Sequence, residues 1–226
     1  MLDERLSLAA DLYQPCACGA DIGTDHGLLP CHLLKSGTCQ RMIFADVSPK
    51  ALVHAREQVQ RQGLAAQAQL ICADGLDALV EPCGCVSIMG MGGETLAGIL
   101  TRGAHRLQGA VLVLSAHTDL PLVRQAVADI GYHFVREELC QAAGRFYLVW
   151  RAEPGTATVT AEDIRFGTLL RKPMTSQLRA YFQWRIAVLS DRLCGLQAAR
   201  EPDAAAIAAI QQDLMRYQSR MEEPLC

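Results

Sequence analysis

The stretch Ala20-Asp21-Ile22-Gly23-Thr24-Asp25-His26-Gly27 decides the fold. It follows a short apolar run from Cys16 to Ile22 and precedes a helical pattern from Leu28, so it reads as a strand, a tight glycine turn and a helix. Pro30 fits that helix only in its first turn, and Gly37 ends it. Gly23 permits a sharp turn and lets a ligand approach the backbone closely. In open α/β sheets, ligands bind outside the carboxyl ends of the strands, where this loop falls. The plainer alternative is a strand-to-helix turn whose Asp caps the helix. Asp25 stands where a dinucleotide pyrophosphate would lie and would repel it, which disfavours a nicotinamide dehydrogenase. A ligand carrying sulfonium and ammonium charges, as S-adenosylmethionine does, suits the acidic loop better.

The same unit recurs along the chain. Residues 42–45 form a second strand ending at Asp46, and Ser48-Pro49 caps a helix that runs to Gln62 and stops at Gly63. Residues 69–73 form a third strand ending at Asp74-Gly75. Residues 86–89 form a fourth, which runs into Gly90-Met91-Gly92-Gly93 and a helix to about Arg102. Residues 110–115 are almost purely aliphatic, as a strand buried on both faces should be. A helix over 121–130 closes at Gly131. Two further strands, 133–139 and 145–151, are joined by a short link that suits a hairpin. Residues 1–12 read as a short amphipathic helix. The expected fold class is therefore α/β: a Rossmann-like methyltransferase sheet of seven strands, mostly parallel, with an antiparallel strand at the end.

Glu153-Pro154-Gly155 punctuates the chain, and no strand pattern follows. We expect a core domain over 1–155 and a helical domain over 156–226. Leu178, Phe182, Leu189, Leu193 and Leu196 line one helix. Ile207, Ile210, Leu214, Tyr217 and Met221 line a second that starts at Pro202, and the two should pack as a coiled-coil-like hairpin. Residues 151–226 hold 10 Lys/Arg against 9 Asp/Glu, whereas the whole chain has a net charge of -3, so the helical part is the relatively basic one. Ten cysteines in a chain of this size, with no signal peptide or apolar span, read as packing residues of a reduced cytoplasmic protein with no membrane partner. Cys16-x-Cys18 and Cys83-x-Cys85 have one residue between each pair, short of structural zinc spacing, so no metal is expected.

Four strand ends carry the candidate site. Asp21, Gly23 and Thr24 form the first loop. Asp46, with Val47 beside it, is placed to bind ribose hydroxyls; its alternative is capping the helix that begins near Ser48. Asp74-Gly75 can reach an adenine edge, or simply form a turn. Met89, Gly90, Met91 and Gly92 let main chain pass beside a ligand, or serve as a helix entry. Four such signals in register at successive strand ends favour the ligand-binding reading.

The segments ADIGTDHGLLP (20–30), ADGL (73–76) and MGMGG (89–93), with RFGTLLRK (165–172) and a long helix holding residues 181–185, resemble the bacterial tRNA (adenine(22)-N1)-methyltransferase family over nearly the whole chain. The resemblance implies a Rossmann-like core with a C-terminal helical domain, S-adenosylmethionine as cofactor and tRNA as substrate, methylated on N1 of an adenine in the D-arm region. It implies that Asp25 faces the target adenine as the leading catalytic residue. His26 and His117 are secondary candidates, with helix capping and a solvated loop as their alternatives. Arg165, Arg171, Lys172, Arg179 and Arg185 are candidate phosphate contacts, interleaved with Tyr181, Phe182 and Trp184. The chain departs from the family at the fifth strand's end, where Ser115-Ala116-His117 replaces a typical Gln-Pro-Asn and bears on which base is accepted. A methyltransferase for a small molecule or protein, and a non-catalytic binding or scaffold protein, are the competing readings. A monomer or weak dimer is expected.

Overall fold

The computed structural model describes residues 2–225. The chain divides into two compact units, one ending at Gly167 and one beginning at Thr168. The first is built as α1 (Glu4–Leu12), β1 (Cys16–Ile22), α2 (Leu28–Lys35), β2 (Cys39–Asp46), α3 (Pro49–Arg61), β3 (Ala68–Cys72), β4 (Cys85–Met91), α4 (Gly93–Gly103), β5 (Val111–Ala116), α5 (Leu120–Asp129), β6 (Tyr132–Ala142), β7 (Arg145–Pro154) and α6 (Ala161–Phe166). The seven strands form one sheet in the order β3-β2-β1-β4-β5-β7-β6. Strands β1 to β5 pair in parallel, and β7 runs antiparallel between β5 and β6. The expected mixed sheet is observed, with β7 as its antiparallel member.

The order reverses between β1 and β4, because β2 and β3 lie on one side of β1 and the later strands on the other. Such a switch point leaves a crevice at the carboxyl ends of the two strands, since their following loops turn away in opposite directions. The last five residues of β1 and all six of β5 are buried. Helices cover both faces, so these central strands carry apolar side chains on both sides.

Local signals set the helix entries. Asp3 accepts a hydrogen bond from the Leu6 N–H at α1, and Ser48 accepts one from Ala51 at α3, ahead of Pro49 in the first turn. Thr160 and Asp163 form a reciprocal capping box at α6. At the outer side of the sheet, Arg124 and Glu137 form a buried ion pair at 2.6 Å. The Trp150 Nε1–H also donates to Glu137, and Arg124 reaches the carbonyls of Ile164 and Arg165. That network ties α5, β6 and β7 to the end of α6.

The second unit contains α7 (Ser176–Gln197), capped by Thr175, and α8 (Ala204–Met221), capped by Asp203. Leu178, Phe182 and Leu189 are buried with Ile210, Leu214 and Tyr217, and the rings of Phe182 and Tyr217 lie 5.3 Å apart. Leu193, Leu196 and Ile207 are half-buried, so the apolar stripe loosens towards the connection between the helices. The second helix starts two residues after Pro202 because Asp203 supplies the cap. Among the described residues, no helix is long and apolar enough to cross a membrane, and no group of three or more His, Cys, Asp or Glu side chains could hold a metal ion.

Candidate active site

Asp21 is the penultimate residue of β1 and is buried, with 6% of its surface exposed. The Ser87 hydroxyl on neighbouring β4 donates to its carboxylate at 2.6 Å. Burial pushes the Asp21 carboxyl up to about 6; the hydrogen bond from Ser87 and the nearby Thr24 oppose that rise, and the charge of Asp46 adds to it. A carboxylate held this way is short of a positive partner.

The loop beyond Asp21 is stitched to the end of β2. Gly23 and Thr24 both donate to the Ala45 carbonyl, at 2.8 and 2.9 Å. Gly23 has φ 74, and a Cβ there would come 3.0 Å from the Met91 methyl, so the position suits glycine on both counts. Asp25 also takes a left-handed backbone, φ 47, which a side chain ordinarily avoids. Its N–H donates to Asp46 Oδ2 at 3.3 Å, while Asp46 Oδ1 accepts from the Ser48 N–H at 2.8 Å. One carboxylate thus fixes both the first loop and the entry to α3. The Asp25 side chain is left largely exposed, 3.7 Å from the equally exposed His26, whose ring tilts against His54.

Facing this acidic loop is a wall that sequence reasoning did not assemble. Arg5 of α1 lies over the Tyr147 ring of β7, 5.2 Å from its centroid, and its guanidinium stands 3.4 Å from His117 Nε2. The His117 ring meets Tyr147 edge-on, and its backbone N–H donates to the Met91 carbonyl. Burial lowers the His117 pKa, and the positive charges of Arg5 and Arg145 lower it further. The imidazole is therefore neutral at physiological pH, with Nε2 accepting from Arg5.

Between the two sides is a cavity of about 380 Å³, within the size range of small-molecule sites. Its lining includes the predicted residues Asp21, Gly23, Thr24, Asp25, His26, Met89, Gly90 and His117, together with Arg5, Leu6, Leu28, Leu29 and Tyr147. Asp46 sits directly behind the first loop. Met91 and Gly92 continue from β4 into α4, with Gly92 as its N-cap. The remaining predicted residues do not line the cavity. Asp74 is exposed and paired with Arg102 at 3.2 Å; Gly75 is buried at the start of a short 3-10 turn, and Val47 is exposed.

The basic residues fall in both units. Arg165, over the Phe166 ring, belongs to α6 of the first. Arg171, Lys172, Arg179 and Arg185 belong to the second, where Arg185 lies over the Trp184 and Tyr217 rings and Arg179 donates to the Glu223 carbonyl. The site thus pairs a buried, cation-seeking carboxylate with an aromatic and cationic wall across a cavity of small-molecule size.

Comparison with known proteins gives concordant results. A family model described as a methyltransferase domain matches residues 2–150. The tRNA (adenine(22)-N(1))-methyltransferase of Bacillus subtilis is 29% identical over 165 residues, covering 72% of this chain and 69% of that protein. Sp1610 of Streptococcus pneumoniae, solved in complex with S-adenosyl-L-methionine, superposes with a TM-score of 0.87 at 25% identity, over 98% of this chain and 100% of its own. TrmK of M. capricolum, solved with S-adenosyl-homocysteine, has the same fold, with a TM-score of 0.84 at 22% identity over 98% of each chain.

Proposed function

Because the chain belongs to the methyltransferase-domain family, we propose that it transfers the methyl group of S-adenosylmethionine to N1 of an adenine in tRNA, at position 22 in the D-arm region. The observation that carries this reading is the two-sided cavity, with Asp21 buried on one side and Tyr147 and His117 on the other. Its residues fit the cofactor. Asp21 supplies the negative charge that an ammonium group neutralises, and the uncrowded backbone at Gly90 gives room for a ligand against main chain. When bound, S-adenosylmethionine supplies an electrophilic methyl on sulfur.

The protein's own groups perform the rest. Asp21, Gly23 and Thr24 hold and orient the cofactor, with Asp46 bracing the loop and offering the ribose contact. Tyr147 gives the acceptor base a flat surface to pack on. The base must first leave its stack, at a cost of a few kcal/mol. As N1 is alkylated, positive charge develops on the ring and the exocyclic amine becomes acidic. Asp25, exposed at the cavity rim, stabilises that charge and accepts the proton. His26 stands 3.7 Å from Asp25 at the cavity rim, and His117 borders the base. Arg165, Arg171, Lys172, Arg179 and Arg185 contact tRNA phosphates. We place the reaction in the cytoplasm, where the nine described free thiols remain reduced, and assign the 1–155 and 156–226 segments to catalysis and RNA holding respectively.

The experiment is transfer of labelled methyl from S-adenosylmethionine to bulk unmodified bacterial tRNA, followed by nucleoside analysis. Labelled 1-methyladenosine is the expected product. Cofactor binding without that product overturns the tRNA assignment and points to a small-molecule or protein acceptor.

A further inference from the structure

At the opposite end of the sheet from the cavity, the first residues of β1 and β2 are both cysteines. Cys16 and Cys39 stand opposite each other in the parallel register, and their sulfurs are 3.5 Å apart. Neighbouring strands of a sheet lie about 4.8 Å apart, within the Cα separation that disulfides span. The two thiols differ. Cys16 is half-buried and reachable from solvent, whereas Cys39 is 1% exposed. Gly84 packs closely beside Cys16: a Cβ on Gly84 would lie 2.6 Å from the Cys16 Cβ, so a glycine is what leaves room for the Cys16 side chain there.

We propose that Cys16 and Cys39 are a peroxide-reactive thiol pair that closes to a reversible disulfide between the first residues of β1 and β2. The electronic setting agrees with the geometry. The hydrogen bond from Cys39 lowers the Cys16 pKa, and backbone N–H groups of Cys85 and Gly84 lower it further against the effect of burial. Donating that bond, and being buried, raises Cys39. Cys16 is thus the nucleophile and Cys39 the resolving thiol.

The step balances with a hydroperoxide as oxidant. Cys16 thiolate attacks one peroxide oxygen, the O–O bond breaks, and the departing hydroxide takes up a proton to leave as water. Cys39 sulfur then attacks the Cys16 sulfenic sulfur; the S–O bond breaks, and the Cys39 proton leaves with the hydroxide as a second water. Two thiols lose two electrons and one hydrogen peroxide becomes two waters.

A second close pair provides an internal control. Cys18 and Cys83 lie 4.0 Å apart, but both are buried and burial raises both. Cys72 and Cys194 are exposed and form neither of these pairs. The test treats the full chain with stoichiometric hydrogen peroxide, blocks free thiols by alkylation under native and then denaturing conditions, and maps peptides without reduction. The expected result is a Cys16–Cys39 linked peptide, loss of alkylation at both positions, and full recovery with dithiothreitol, while Cys18 and Cys83 stay reduced. Cys39→Ser should replace the linkage by a dimedone-trappable sulfenic acid at Cys16. Cys16→Ser, at the more exposed position, should abolish both products if Cys39→Ser does not fold. Alkylatable Cys16 and Cys39 after oxidation, or oxidation confined to Cys72 and Cys194, would overturn the proposal.

Discussion

Asp21→Asn should stabilise the cofactor-free protein while removing its ability to bind S-adenosylmethionine. The wild-type carboxyl is raised from 3.8 to about 6 by burial. The folded state therefore holds this proton more tightly than the unfolded chain does. The associated stability is fully present below about pH 4 and is lost as pH rises through about 6. Two pKa units correspond to about 3 kcal/mol, the cost that the ionised Asp21 imposes on the folded protein at pH 8. Asn keeps an oxygen that can accept from Ser87, now at 2.6 Å from the carboxylate, and carries no charge to desolvate. Denaturant unfolding of the two proteins at pH 8 should show the variant more stable by up to about 3 kcal/mol, with the difference shrinking towards pH 4. Calorimetric titration should show wild-type affinity for S-adenosylmethionine falling about tenfold per pH unit below 6, and no binding to the variant. A stability advantage of the variant over wild type that is no larger at pH 8 than at pH 4 would refute the reasoning, and so would wild-type affinity that does not change below pH 6.

Three further outcomes follow from the geometry. Asp25→Ala should leave S-adenosylmethionine binding within a few-fold of wild type yet lower methyl transfer by roughly 10²- to 10⁴-fold, the range for a positioned acid–base group; paired titration and single-turnover assays separate the two. Equal loss of both would reassign Asp25 to the cofactor. Glu137→Ala leaves Arg124 charged in a site where its side chain is 4% exposed, and should destabilise the fold by about 3–5 kcal/mol in denaturant unfolding. Arg5→Met removes a positive charge beside His117 and should raise that imidazole's pKa, as read by ring-proton NMR titration; an unchanged titration would show that burial alone sets it.

The parallel half of the sheet was legible because each strand there is an apolar run ending at an Asp or Gly whose turn chemistry is local. An unbroken aliphatic run marked β5, and the pair Asp21 and Gly23 pointed to the cavity. The strand limits were less visible. β2 begins at Cys39 rather than at Met42; exposed Gln40 and Arg41 interrupt the apolar signal, although Cys39 and Arg41 pair with β1. The position of β7 between β5 and β6 depends on tertiary pairing that no local pattern encodes. Arg5, His117 and Tyr147 come from three distant segments, and only the fold brings them together. Arg124 and Glu137 look like surface charges in the sequence, yet they pair in the interior. At Asp46 the sequence offers a ribose contact or a helix cap, and what it does not reveal is that both carboxylate oxygens already serve the Asp25 and Ser48 backbones.

The central claim is tested most directly with two transcripts of one tRNA that differ only at position 22, adenine in one and guanine in the other, each incubated with the protein and labelled S-adenosylmethionine. The account requires stoichiometric label in the first, recovered as 1-methyladenosine at that position, and none in the second. Equal labelling of both transcripts, or label at another nucleotide in the first, would contradict it.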